Sequence, residues 1–192
     1  MLELEVNVGI VLSDLKLITP KRHGDHRGFF AETYSRQKYQ EIGVGVEFVQ
    51  DNHSISYSEG TVRGLHFQSP TKAQAKLVRC GRGAFFDVAV DIRKGSPTYG
   101  RWEGYELTAN NGLQLYIPVG FAHGFLTTEP DSEIIYKCSD YYAPKMQGSV
   151  LWSDPDIGIS WPLKREPTLS DNDTIAPLLK VLDSPFTYGL NS

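Results

Sequence analysis

Phe85-Phe-Asp-Val-Ala-Val-Asp-Ile-Arg93 sets Phe86, Val88, Val90 and Ile92 on one side of an extended chain, and Asp87, Ala89, Asp91 and Arg93 on the other. A period of two marks a β-strand, because successive side chains of a pleated backbone point to opposite faces. The alternation recurs at Leu113-Gln-Leu-Tyr-Ile117, which stops at Pro118-Val-Gly120. It recurs again at Glu133-Ile-Ile-Tyr-Lys-Cys-Ser139, where Ile134, Tyr136 and Cys138 share a face. Further strands are expected at Phe29–Tyr34 and Glu47–Asn52, each bounded by glycine or polar turn residues. Helix is scarce. Ser35 to Gly43 predicts a short helix with Ser35 as N-cap and Gly43 as C-cap, and Pro177 to Asp183 a second, docking through Leu178, Leu179 and Leu182. Many short strands punctuated by turns predict an all-β chain: an antiparallel β-sandwich or barrel, with the jelly roll one match for size, and one or two short peripheral helices.

Composition narrows the function classes. With 192 residues, 40% of them hydrophobic and 22% charged, the chain is expected to fold as one domain over residues 1–192, with an N-terminal arm and a C-terminal helical tail. A net charge of −4 gives no footprint for nucleic acid or an anionic membrane. Cys80 and Cys138 are too few for a disulfide framework or a zinc knuckle and read as two buried thiols in a reducing compartment. Leu107 to Thr128 carries no formal charge, but Asn110, Asn111, Gln114, Pro118 and His123 exclude it as a membrane span. Met1-Leu-Glu-Leu-Glu5 lacks the basic flank and apolar run of a signal peptide, so a cytoplasmic location is expected.

Several polar groups sit within strand-like, apolar surroundings, where they are costly unless partnered. In Arg63-Gly-Leu-His-Phe-Gln68, His66 shares a face with Gln68, either toward a concave interior or as a hydrogen-bonded core histidine. Lys76 opens Lys76-Leu-Val-Arg-Cys80, as a partnered buried cation or a solvated strand end. His123 lies between glycines and phenylalanines in Pro118-Val-Gly-Phe-Ala-His-Gly-Phe125, either where a ligand approaches closely or as an incidental histidine in a tight turn, and Tyr136 reads as an inward phenol or an inert core tyrosine. Arg27, in Arg27-Gly-Phe-Phe-Ala-Glu32, suits either a phosphate or a surface ion pair. His23 and His26 fall in a turn-rich segment and the chain holds no His-x-His pair, which predicts a metal-free site. Glycine-rich loops for NAD or ATP phosphates are absent.

Taken together, these segments form a recognisable series. To those quoted are added Gln50-Asp-Asn-His-Ser54, Gln74-Ala-Lys-Leu-Val78, Tyr136-Lys-Cys-Ser-Asp-Tyr-Tyr142, Trp152-Ser-Asp-Pro-Asp-Ile-Gly-Ile159 and Leu169-Ser-Asp-Asn-Asp173. In this order, from about Leu17 to Leu179, the chain resembles the dTDP-4-dehydrorhamnose 3,5-epimerase family of deoxysugar-nucleotide enzymes.

The resemblance implies a cupin-type jelly roll, a homodimer that exchanges N-terminal strands, and no metal or organic cofactor. It implies a dTDP-4-keto-6-deoxyhexose substrate, inverted at C3 and C5 to give dTDP-4-dehydro-L-rhamnose; the alternative is inversion at C3 alone, in an unusual-sugar or antibiotic pathway. By resemblance His66 is the base, Asp173 its partner ahead of Asp171, Tyr136 the acid, and Lys76 the stabiliser of the C4 oxyanion. Arg27 and Arg63 are implied for the diphosphate, Glu32, Gln50 and Asn52 for the nucleotide or its sugar, and His123 for the hexose. Either Tyr141 or Tyr142 would wall the base. Two positions depart from the family pattern: Gln147 stands where a glutamate is common, and Asn172 where a lysine is common. Both belong to substrate contacts, so the base or sugar recognised is where a difference is expected.

Overall fold

The computed structural model describes residues 4–189; residues 1–3 and 190–192, the ends of the expected 1–192 domain, lie outside it. Thirteen strands follow in order: β1 (Leu4–Val8), β2 (Lys16–Pro20), β3 (His23–Asp25), β4 (Gly28–Phe30), β5 (Gln50–Ser56), β6 (Val62–Gln68), β7 (Lys76–Arg82), β8 (Ala84–Asp91), β9 (Trp102–Thr108), β10 (Gln114–Ile117), β11 (Phe121–Thr127), β12 (Ser132–Cys138) and β13 (Gln147–Ser149). Two short helices, α1 (Arg36–Glu41) and α2 (Asp171–Thr174), and two 3-10 turns complete the set. One sheet runs β1-β2-β10-β7-β12-β5 and the second β13-β6-β11-β8-β9, with neighbours antiparallel throughout; β3 and β4 form a separate hairpin. Two facing antiparallel sheets of this kind are the jelly roll expected.

Three apolar clusters explain the layering. Leu15, Val78, Phe85, Ala89, Leu115, Phe125 and Ile134 fill the space between the sheets. Behind the five-stranded sheet, Leu65, Phe67, Val88, Val90 and Ile92 are covered by Val150, Ile157, Leu179 and Phe186 of the C-terminal segment. On the outer face of the six-stranded sheet, Ile18, Leu77 and Tyr116 pack with Tyr39 of α1 and Val44. β8 is therefore buried on both faces. Its apolar row faces the tail, while the row carrying Asp87 and Ala89 faces the space between the sheets.

Some expected elements differ. The strand expected at Phe29–Tyr34 is only β4, and the strand expected at Glu47–Asn52 is displaced to β5. Ser35 occupies the N-cap of α1 in extended conformation, but its hydroxyl makes no capping bond; the C-cap is Ile42, and Gly43 follows with φ +80°. The helix expected over 177–183 is a 3-10 turn, Leu179–Val181. Its apolar residues Leu179 and Leu182 are three apart, the 3-10 repeat, and the Leu179 N–H is taken by the Asp154 carboxylate at 2.6 Å. The tail is thus mostly irregular rather than helical, and its short α2 carries no apolar periodicity to announce it.

One irregularity positions the site. β11 pairs with β6 at His123↔His66 and at Phe125↔Arg63, so β6 holds one residue more than its partner between these points. Such a bulge resets the alternation, and it turns Arg63 and His66, of opposite parity in sequence, toward one cavity. Gly64 makes the close approach: its φ is +126°, and a Cβ there would meet the Gly124 Cα at 2.5 Å and the His123 carbonyl at 2.8 Å. Gly64→Ala is expected to lower stability by about 2 kcal/mol, or roughly 4–8 °C in Tm, because both backbone conformation and neighbouring backbone must give way. Gly45→Ala, in open space with nothing within 4 Å, is the control and should unfold near the wild-type temperature. Thermal unfolding of the two variants checks this; equal midpoints would contradict the role given to the bulge.

Candidate active site

Between the sheets lies a cavity of about 420 Å³, lined by Arg63, His66, Lys76, His123, Tyr136 and Asp173 together with Ser54, Phe125 and Ser170. A smaller space of about 180 Å³ shares His66, Lys76 and Tyr136 with it and adds Gln50, Asn52, Gln68, Gln74, Tyr142 and Gln147. The shared residues make the two spaces halves of one cleft.

The five-stranded sheet supplies an imidazole backed by a carboxylate. His66 of β6 reaches Asp173 of α2, with Nε2 to Oδ1 at 2.7 Å. Asp173 is buried and positioned from its own turn: the Ser170 hydroxyl donates to its Oδ2 at 2.7 Å, and the Ser170 side chain accepts from the Asp173 N–H. The Gly64 N–H also points at Oδ1, at 3.4 Å. Burial alone would raise the Asp173 carboxyl, but the bonds from His66 and Ser170 outweigh it and hold the group below its ordinary value. An ionised carboxylate only accepts, so His66 carries a proton on Nε2, and in the neutral imidazole Nδ1 is then the nitrogen that can act as base.

The six-stranded sheet supplies the facing wall. Tyr136 and Cys138 on β12 and Lys76 on β7 point inward, with Cys138 paired in register to Lys76. The Lys76 Nζ lies 6.0 Å from the Tyr136 ring centre. Burial pushes the Tyr136 phenol up, with the Cys138 thiol adding to the rise and Arg63 and Asn52 opposing it, so the phenol is a proton donor at neutral pH. Burial pushes the Lys76 ammonium down. The imidazole and the phenol thus line the same cavity from opposite sheets.

The adjoining space is a run of amides. Gln50 Nε2 donates to Asn52 Oδ1 at 3.0 Å, the Tyr142 N–H donates to Gln50 Oε1 at 2.9 Å, and the Tyr142 hydroxyl donates to Gln147 Oε1 at 2.8 Å. Tyr142 lines this space and Tyr141 does not. Asn172 is exposed on α2, outside both spaces. Arg27 and Glu32 are also outside them: Arg27 pairs with Asp25 at 2.5 Å on the exposed β3–β4 hairpin, and Glu32 pairs with Lys38 at 2.8 Å. His23 and His26 lie on or beside that same hairpin. Among the described residues, no three His, Cys, Asp or Glu side chains converge as a metal site would require.

Sequence reading passed over Asp87, whose Oδ1 lies 2.7 Å from His123 Nε2, and Ser170, which holds Asp173. The signal for Asp87 was a carboxylate on a strand otherwise destined for burial. Ser170 was visible only as the start of Ser-x-x-Asp.

The family model described as dTDP-4-dehydrorhamnose 3,5-epimerase matches residues 10–181. The dTDP-4-dehydrorhamnose 3,5-epimerase of Salmonella typhimurium is 54% identical over 169 residues, spanning 88% of this chain and 92% of that protein. The crystal structure of dTDP-6-deoxy-D-glucose-3,5-epimerase from Legionella pneumophila, in complex with dTDP-4-keto-L-rhamnose, superposes with a TM-score of 0.90 at 45% identity, covering 94% of this chain and 95% of that one. A dTDP-4-dehydrorhamnose 3,5-epimerase from Bacillus anthracis, with TDP and PPi bound, gives 0.88 at 47% identity, covering 91% and 99%. A match over nearly the whole length in sequence and fold places this chain in the dTDP-4-dehydrorhamnose 3,5-epimerase family, among isomerases.

Proposed function

We propose that this protein inverts C3 and C5 of dTDP-4-dehydro-6-deoxy-D-glucose to give dTDP-4-dehydro-L-rhamnose. The observation that carries the reading is the His66–Asp173 pair on one wall of the cleft and Tyr136 on the other. Hydrogens at C3 and C5 are both α to the C4 ketone. His66 Nδ1 takes the proton, the C–H electron pair moves to the C4 oxygen, and an enolate forms. The Lys76 ammonium faces that oxygen, where a fixed charge in a water-poor space is most effective. Tyr136 returns a proton to the opposite face of the carbon, the enolate collapses to the ketone, and the centre is inverted. The ketone itself accepts the electron pair, so this chemistry needs neither metal nor organic cofactor.

In this reading Arg63, at the exposed edge of the cavity, meets the diphosphate. Tyr142, the alternative to Tyr141, walls the base, and Gln50, Asn52 and Gln147 offer amides to the nucleotide. His123 borders the hexose. Arg27 and Glu32, too far round the surface to line their own cleft, act on a second copy in a homodimer joined through its N-terminal strands. The β3–β4 hairpin supports this, since Phe29 and Phe30 stand 60% and 71% exposed on it in the single chain. A net charge of −4 argues against nucleic acid or an anionic membrane as partner, and no helix among the described residues is long and apolar enough to cross a membrane. Two buried free thiols fit a cytoplasmic setting.

Proton NMR of the protein mixed with this sugar nucleotide in D₂O should show deuterium entering at C3 and C5; label at C3 alone would replace the reading by single epimerisation. His66→Asn should slow exchange at both carbons on the order of 10²–10⁴-fold and leave dTDP affinity, read by calorimetry, nearly unchanged. Tyr136→Phe should retain C–H washout while losing inversion. Equal loss of both would show that the phenol is not the acid.

A further inference from the structure

Three of the buried carboxylates, Asp91, Asp173 and Asp87, have different surroundings. Asp91 is fully satisfied, accepting from the Arg93 guanidinium, the Arg93 N–H, Ser96 and Thr98. Asp173 is satisfied by His66, Ser170 and Gly64. Asp87 has no solvent exposure, has His123 as its hydrogen-bond partner through Oδ1, and leaves Oδ2 with none. A desolvated charge so poorly bonded costs more than a neutral side chain of the same size would. Packing does not account for it.

The line of contacts continues past the imidazole. His123 Nε2 faces Asp87 at 2.7 Å, and His123 Nδ1 faces the Lys76 Nζ at 3.3 Å. We propose that Asp87 is a positioning residue for Lys76, acting through His123. Its carboxylate accepts a hydrogen bond from the Nε2–H, which fixes the tautomer with a bare Nδ1. That nitrogen accepts one ammonium proton of Lys76, and the remaining two N–H groups are aimed into the cleft. Asp87 is also a buried carboxylate whose charge favours the protonated form of Lys76.

The other groups around Lys76 do not serve in its place. From β12, the Cys138 thiol is pushed up by burial and stays neutral near pH 7, as does the Tyr136 phenol. From β6 and α2, His66 and Asp173 are committed to each other, and Arg63 carries the same sign as Lys76. Burial drives Lys76 toward its neutral form; Cys138 and, after it, Asp87 oppose this. On His123, burial outweighs the pull of Asp87 toward the charged ring, and Lys76 acts with burial, so the ring is held below its ordinary value and is neutral near pH 7.

This inference rests on the reading that Lys76 faces the ketone oxygen, but its primary test does not depend on turnover. Nitrogen-15 NMR of the histidines in the resting protein should show His123 protonated at Nε2 with an unprotonated Nδ1; an Nδ1–H tautomer or an imidazolium would overturn the assignment. In Asp87→Asn, titration of a ¹³Cε-labelled Lys76 and the alkaline limb of the kcat profile should both move down by about one pH unit or more, with KM much less affected. A Lys76 titration unchanged from wild type would also overturn it. Should the variant fail to fold, the wild-type tautomer decides the matter. Should wild-type protein exchange neither C3 nor C5, the catalytic reading fails while the tautomer and titration still judge Asp87.

Discussion

The bond from His66 to Asp173 ties three levels of the structure together. It fixes which imidazole nitrogen is free, and it fastens the C-terminal segment across the edge of the five-stranded sheet. Beside it, the bulge in β6 turns His66 and Arg63 toward one space. A carboxylate taken out of water is stable only when its hydrogen bonds are made, and Asp173 makes them to His66 and Ser170. The proposed base is thus held by a bond that also ties α2 to β6.

The two sheets divide the chemistry. In the proposed mechanism one delivers base and tautomer control from β6, β8 and β11, and the other delivers phenol and ammonium from β7 and β12. Inverting a carbon requires proton removal and delivery on opposite faces, and a sandwich provides opposite faces by construction. β8 shows the cost of that arrangement. It is buried on both sides, so its Asp87 and Asp91 have each to find a partner within the protein.

Much of this was legible in the sequence, for identifiable reasons. The period of two at Phe85–Arg93 and Glu133–Ser139 survives in β8 and β12 because burial enforces alternation there. The ordered motifs pointed to the family, and the structure gathers Arg63, His66, Lys76, His123, Tyr136 and Asp173 at one cavity. What sequence did not show depends on distant contacts. Periodicity could not say that the apolar row of β8 faces the tail, because the covering residues Ile157, Leu179 and Phe186 lie far along the chain. Alternation placed Arg63 opposite His66, since a one-residue bulge leaves no mark beyond a glycine. Capping preferences named Ser35, whose hydroxyl makes no cap, and had no means to anticipate α2, whose four residues are ordered by the bonds of Asp173.

The account stands on imidazole and phenol addressing a keto-hexose ring from opposite sides. A crystal structure of this chain with a bound dTDP-4-keto-6-deoxyhexose measures that directly. The His66 Nδ1 and Tyr136 hydroxyl should each lie roughly 3–3.5 Å from ring carbon or its hydrogen-bearing side, on opposing faces, with the C4 oxygen toward Lys76. A ring bound outside the cleft, or with both groups on the same face, would contradict it.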